Sequence, residues 1–224
     1  MIDAGWDATM ETERAKLEHF WRSNGPKMRS ALQSPLLGRF QANQYRGIDV
    51  RHLHNKFGWQ AGNNIHCAGA FYRTEAFMRL PDQHRCGQKK AQTVHIEHTV
   101  PIASIVSAIT AARPEGPSQI ITWLLARSIT TGVADGKGPE AERRRIVRRG
   151  YARRTDLFTP GHADENLPFR RYDATSGTRI WDLVSRRPID PDRFTMADHH
   201  ANLKVALAWA ALPDWSEQLA AIPA

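Results

Sequence analysis

Two histidines and a carboxylate fall within four residues, His95-Ile96-Glu97-His98, directly before Thr99-Val100-Pro101. Imidazole titrates near neutral pH and can take a proton from water, and a carboxylate can hold a hard divalent cation, so this group carries the chemistry of hydrolysis. On a regular strand Glu97 and His98 point to opposite faces and cannot share one ion. At a strand end or bulge, one could reach a metal while the other addresses water. A second group, Asp198-His199-His200-Ala201-Asn202, places two adjacent histidines and an asparagine within four residues. A third pairs His66-Cys67 with His84-Arg85-Cys86. Two cysteines and two histidines suffice for one structural Zn²⁺, but adjacent His66 and Cys67 cannot both reach it from a regular helix. Independent side chains and a disulfide therefore stay open beside the zinc reading.

The charge balance names a class of partner. Lys and Arg number 31 against 23 Asp and Glu, for a net charge of +8. Arginine dominates the bases, and its planar fork suits phosphate oxygens. The excess is concentrated at Arg143, Arg144, Arg145, Arg148, Arg149, Arg153 and Arg154. On a helix anchored by Ile146, Val147 and Tyr151, these would contact the backbone of double-stranded DNA; the plainer reading is a solvated basic helix. Trp59 and Tyr72 could stack on bases or belong to the core. Two cysteines cannot build a disulfide framework, and no apolar run approaches the roughly 18 residues of a membrane span. The N-terminus lacks the basic and apolar stretches of a secretion signal, so the expectation is a cytoplasmic protein with no membrane partner.

These groups need elements to hold them. Met10, Leu17, Phe20 and Trp21 predict an amphipathic helix over 8–23, interrupted by Gly25-Pro26, with a short helix over 27–33. Residues 38–66 have no clean period and read as loop, and 67–80 read as helix. Alternation of Val94, Ile96 and His98 predicts a short strand ending near Pro101. Ile102, Ile105, Val106 and Ile109 form a helical stripe, and a further helix capped by Ser118 carries Ile121, Leu124 and Leu125. Gly132, Gly136 and Gly138 predict an exposed connection, and 155–176 a turn-rich stretch. A second strand is expected over Thr178–Val184, then a helix entered at Asp190-Pro191-Asp192 and running through His199, His200 and Asn202 toward Pro213.

Glu97-His98-Thr99-Val100-Pro101, preceded by Val94-His95-Ile96, resembles the first strand of the HNH, or ββα-metal, nuclease family. The resemblance implies an α+β, mainly helical protein carrying a ββα-metal core. It makes His98 the general base and Glu97 a ligand of Mg²⁺ or Mn²⁺, where the family more often has aspartate. His199, His200 or Asn202 on the later helix would complete the site, while the family's middle asparagine has no secure counterpart. Arg179, beside the second strand, is a location-based candidate for offsetting transition-state charge. The implied division is an irregular, helical N-terminal region over 1–91, a nuclease core over 92–209 with an insertion at 102–175, and a tail over 210–224. The expected function is a divalent-metal-dependent DNA endonuclease, of restriction or phage-associated type, compatible with a homodimer. The alternatives are a noncatalytic nucleic-acid-binding module and a structural assembly protein.

Overall fold

The computed structural model describes residues 4–41, 46–53, 67–85, 94–135, 156–172 and 178–224. It is mixed α+β and mainly helical. Helix α1 (Ala4–Ser30) opens it, followed by a single 3-10 turn, Ala31–Gln33. Helices α2 (Leu36–Gln41) and α3 (Gly47–Leu53) follow. Next come β1 (Tyr72–Thr74) and the short helices α4 (Glu75–Met78) and α5 (Asp82–Arg85). Then β2 (Val94–His98) leads into α6 (Ile102–Ala112), α7 (Gly116–Arg127) and β3 (Thr130–Ala134). Finally β4 (Ile180–Asp182) and β5 (Arg187–Pro188) precede α8 (Met196–Trp209) and α9 (Pro213–Ala220).

Helix α1 buries Trp6, Met10, Leu17, Phe20, Trp21 and Met28 along one stripe. The expected break at Gly25-Pro26 does not occur: Pro26 lies inside the helix. Proline removes one backbone hydrogen bond at a cost of about 3 kcal/mol, which the packing on both sides of it offsets, Trp21 and Met28 being fully buried. Gly25 has a packing reason of its own. A Cβ there would lie 2.2 Å from the carbonyl oxygen of Ala210, so α1 meets the end of α8 at a separation that only glycine allows. Gly25→Ala gains up to about 1 kcal/mol of helix propensity but forces the helices apart. A net loss of about 1–3 kcal/mol is expected, measured as the change in urea midpoint; an unchanged midpoint would show that the two helices shift freely.

Five strands among the described residues form one mixed sheet in the order β2-β3-β1-β4-β5. β1 and β3 are parallel, and the other pairs are antiparallel. Three sequence expectations change here. Residues 67–80 are not a helix: Tyr72, Arg73 and Thr74 are a fully buried strand, and Thr74 Oγ1 caps α4 by accepting from the Phe77 N–H at 3.2 Å. Gly132 is not in an exposed connection. It sits within β3 because a Cβ there would approach Arg73 Cδ to 2.8 Å. The antiparallel partner of β2 is β3, in the stretch expected to be an insertion, not the 178–184 strand. β4 instead pairs with β1 and β5, and β1, from the segment before residue 92, shares the sheet with β2.

The strand at 94–98 and the helices after Pro101 and Pro114 fall where the periodicity puts them. Helix α7 begins at Gly116, so Ser118 lies within it and donates to Gln218 Oε1 of α9 at 2.9 Å. Asp190-Pro191-Asp192 forms a turn closed by Arg193 and Phe194 N–H groups on the Asp190 carbonyl. The actual cap of α8 is Thr195, in a reciprocal capping box with Asp198.

Candidate functional site

β2 keeps regular pairing to its last residue, Glu97 against Thr131 and His98 against Thr130. No bulge turns the chain, so the two side chains leave opposite faces of the strand. Both are part-exposed, with the Glu97 side chain retaining 14% of its surface.

The strand end is held from the far side by Arg171, the last residue of a 3-10 turn over Pro168–Arg171. Its guanidinium is 4% exposed. Nη1 donates to the carbonyls of His98 at 2.5 Å and Thr99 at 3.0 Å, and Nη2 lies 3.3 Å from Glu97 Oε1. Three consecutive residues are thus tied to one rigid fork. The adjacent Arg170 meets the opposite fate, half-exposed between Asp164 and Asp192, because the tight turn rotates successive side chains apart. Thr99 Oγ1 bonds to Thr131 Oγ1 at 2.8 Å and to the Tyr172 hydroxyl at 3.0 Å. Burial first, then the Glu97 charge, push the Tyr172 phenol well above its ordinary pKa, so it stays protonated. A cavity of about 260 Å³ opens beside Val100, walled by α6, Arg127 and residues 158–166.

The second histidine group is built differently. His199 is 1% exposed. Its Nε2 lies 3.3 Å from the Leu125 carbonyl, which can only accept, so Nε2 carries the proton and Nδ1 accepts from the Tyr72 hydroxyl at 2.9 Å. Asn202 Nδ2 donates to Asp182 Oδ2 at 2.8 Å and approaches the Tyr72 hydroxyl at 3.4 Å. Asp182 also takes the N–H groups of Val184 and Ser185 and the Ser185 hydroxyl. The result is a continuous internal chain, Leu125–His199–Tyr72–Asn202–Asp182–Ser185, that pins α8 to β1, β4 and the end of α7. Burial brings the pKa of His199 down to about 3, and burial with the Arg127 charge brings that of His200 down to about 4. His200 is buried, and its Nε2 has no hydrogen-bond partner among the described residues.

The expected ligands Glu97, His199, His200 and Asn202 therefore do not converge in the manner foreseen. His199 and Asn202 are committed to internal hydrogen bonds, and no group of three or more His, Cys, Asp or Glu among the described residues is placed to hold a metal ion. Arg179 lies away from His98. Its side chain is 63% exposed and 3.6 Å from Glu75. It precedes β4, three strand spacings from β2 or about 14 Å, at the sheet end opposite His98. The arginine at the strand end is Arg171, concealed in a stretch that reads as turns. Only its place in Pro168-Phe169-Arg170-Arg171-Tyr172, where Phe169 and Tyr172 are both buried, marks it as inward-facing.

Of the zinc candidates, His66 and Cys86 lie outside the described residues. Cys67 is buried, and desolvation pushes its thiol up to about 12, against the thiolate that zinc requires. His84 sits half-buried in α5. Tyr72 is a core residue, edge-on to Phe169 and Phe194, rather than a stacking platform. Trp59 and Arg143 through Arg154 lie outside the described residues. No helix among the described residues is long and apolar enough to cross a membrane. Comparison with family models, with curated proteins and with solved structures finds no match for this chain.

Proposed function

We propose that the chain is a DNA endonuclease of the HNH type whose general base is His98. One contrast carries the reading: His199 and His200 are buried with depressed pKa values, whereas His98 is part-exposed at a strand end, with Glu97 on the opposite face. His98 would take a proton from water, the resulting hydroxide would attack phosphorus, and the P–O bond to the leaving nucleoside oxygen would break. Bound Mg²⁺ or Mn²⁺ would supply Lewis-acid stabilisation of the leaving oxygen, with Glu97 as the carboxylate available to it. Among the described residues no group of three or more His, Cys, Asp or Glu is placed to hold the ion. Duplex DNA is the proposed partner on the strength of the net charge of +8 and the seven arginines between residues 143 and 154.

The test is cleavage of supercoiled plasmid with Mg²⁺ or Mn²⁺, with and without EDTA, by wild type and His98→Ala. Wild type is expected to cleave and EDTA to stop it. His98→Ala is expected to lose at least about 100-fold in single-turnover rate while keeping DNA affinity. Wild-type cleavage by His98→Ala would remove His98 from the chemistry.

A second reading, a noncatalytic nucleic-acid-binding module, is favoured by the pairing of Glu97 with Arg171, which already occupies one carboxylate oxygen. It expects salt-sensitive duplex binding with no cleavage in any divalent ion.

A further inference from the structure

Arg171 is more than a core cation. A buried guanidinium has five N–H donors to satisfy; here it spans the Glu97 carboxylate and the His98 and Thr99 carbonyls. The His98 carbonyl is the last main-chain group before the imidazole-bearing strand runs out, and the Thr99 carbonyl is the first beyond it. Fixing both fixes the peptide plane that follows the His98 Cα. The Thr99 side chain is fixed independently by Thr131 and Tyr172.

We infer that Arg171 is the positioning residue of the strand-end site: it sets the direction in which the His98 imidazole leaves the sheet and restrains the Glu97 carboxylate on the other face. This rests on the reading of His98 as the base. Arg171 acts through the backbone of His98 and through Glu97, and touches no substrate. Only a planar fork can serve three oxygens arranged in this way. Lysine, a point charge with no fixed donor plane, keeps the charge and loses the geometry.

The experiment compares wild type, Arg171→Lys, Arg171→Ala and Glu97→Gln, after far-UV circular dichroism establishes that each is folded. The first readout is the ¹³C–¹⁵N spectrum of the His98 ring, assigned by its loss in His98→Ala and recorded whether or not the protein cleaves DNA. In Arg171→Lys the ring signals are expected to move and broaden as several orientations become populated. In Arg171→Ala, tens of millimolar guanidinium should restore the wild-type signals, whereas ammonium at the same ionic strength should not. The second readout is kinetic: kcat is expected to fall about 100-fold, the effect of a misplaced catalytic group, with KM within about threefold.

Should both Arg171 variants fail to fold, Glu97→Gln carries the test. It keeps shape and removes half of the clamp, and a smaller ring-signal shift of the same kind is expected. His98 signals unchanged in every folded variant would overturn the inference, leaving Arg171 a stabilising residue alone. Absence of cleavage by wild type, with the ring signals moving as expected, would overturn the nuclease reading and leave the positioning role standing.

Discussion

Glu13→Gln is expected to lower stability by about 3–5 kcal/mol, the cost of breaking a buried ion pair by removing one partner. Glu13 interrupts the apolar stripe of α1 and is 3% exposed. Its Oε1 accepts from Arg85 Nε at 2.9 Å and Lys16 Nζ at 3.0 Å, and Oε2 lies 3.8 Å from Arg73 Nε. Arg73 is fully enclosed, its remaining donors on the carbonyls of Cys67, Ala70 and Tyr72 and its guanidinium 5.0 Å from the centre of the Phe77 ring. Burial already lowers the pKa of Arg73. Glutamine preserves volume but withdraws the negative charge, leaving Arg73 and Arg85 inside the protein with, among the described residues, the exposed Asp82 as counter-charge to Arg85. Against a total stability of about 5–15 kcal/mol, this is a large fraction. Equilibrium unfolding in urea measures it, and a loss under about 1 kcal/mol would mean that water reaches the cluster and screens it.

Acid should destabilise the protein well before its carboxylates titrate. In the unfolded chain both His199 and His200 have pKa values near 6.5; in the fold these drop to about 3 and about 4. The unfolded state therefore binds more protons than the native state as pH falls below about 6.5. The stabilising contribution is complete above that value and declines until about pH 4 for His200 and about pH 3 for His199. Each histidine contributes a slope of up to about 1.4 kcal/mol per pH unit. Between pH 7 and 5 ordinary carboxylates hardly change, and these two imidazoles are expected to contribute a fall of about 2–4 kcal/mol in that window. Guanidinium unfolding at half-unit intervals reads it, and the His199→Gln/His200→Gln double variant should show a flatter profile from a lower starting stability. A wild-type profile flat from pH 7 to 5 would contradict the buried, neutral assignment.

How far the sequence reveals this architecture depends on how local each signal is. The α1 stripe, the 94–98 strand and the two helices after Pro101 are written in short-range periodicity and survive folding unchanged. β1 and β3 are not. Tyr72-Arg73-Thr74 is three residues long, and Thr130–Ala134 carries a glycine that reads as a loop until Arg73 is seen crossing it. Pro26 was misleading for the same reason, since what overrides it is contact with residues nearly two hundred positions away. At the candidate site, Glu97 and His98 are legible because they are adjacent, whereas Arg171 reaches them, and Tyr172 reaches Thr99, across more than seventy residues. His199 and His200 carry residue types suited to metal binding, and in the fold both are buried, which spacing cannot reveal.

The contact between Gly25 and Ala210 also bears on how the chain is made. Helix α1 is made well before one part of its cover, the segment beyond residue 200 where Ala210 meets Gly25 and Asp214 pairs with Arg29. At about 5–20 residues per second, the Gly25 end of the helix waits about ten to forty seconds for that contact, whereas Trp21 meets Phe71 and Trp6 meets Trp181 from segments made earlier. During that interval part of the helix's apolar stripe lies open, and the sheet cannot close early because its strands join positions as distant as 72 and 182. Nascent chains stalled near residue 190 should therefore be captured by chaperones and cut readily by protease within α1, and both properties should vanish once residue 220 has emerged.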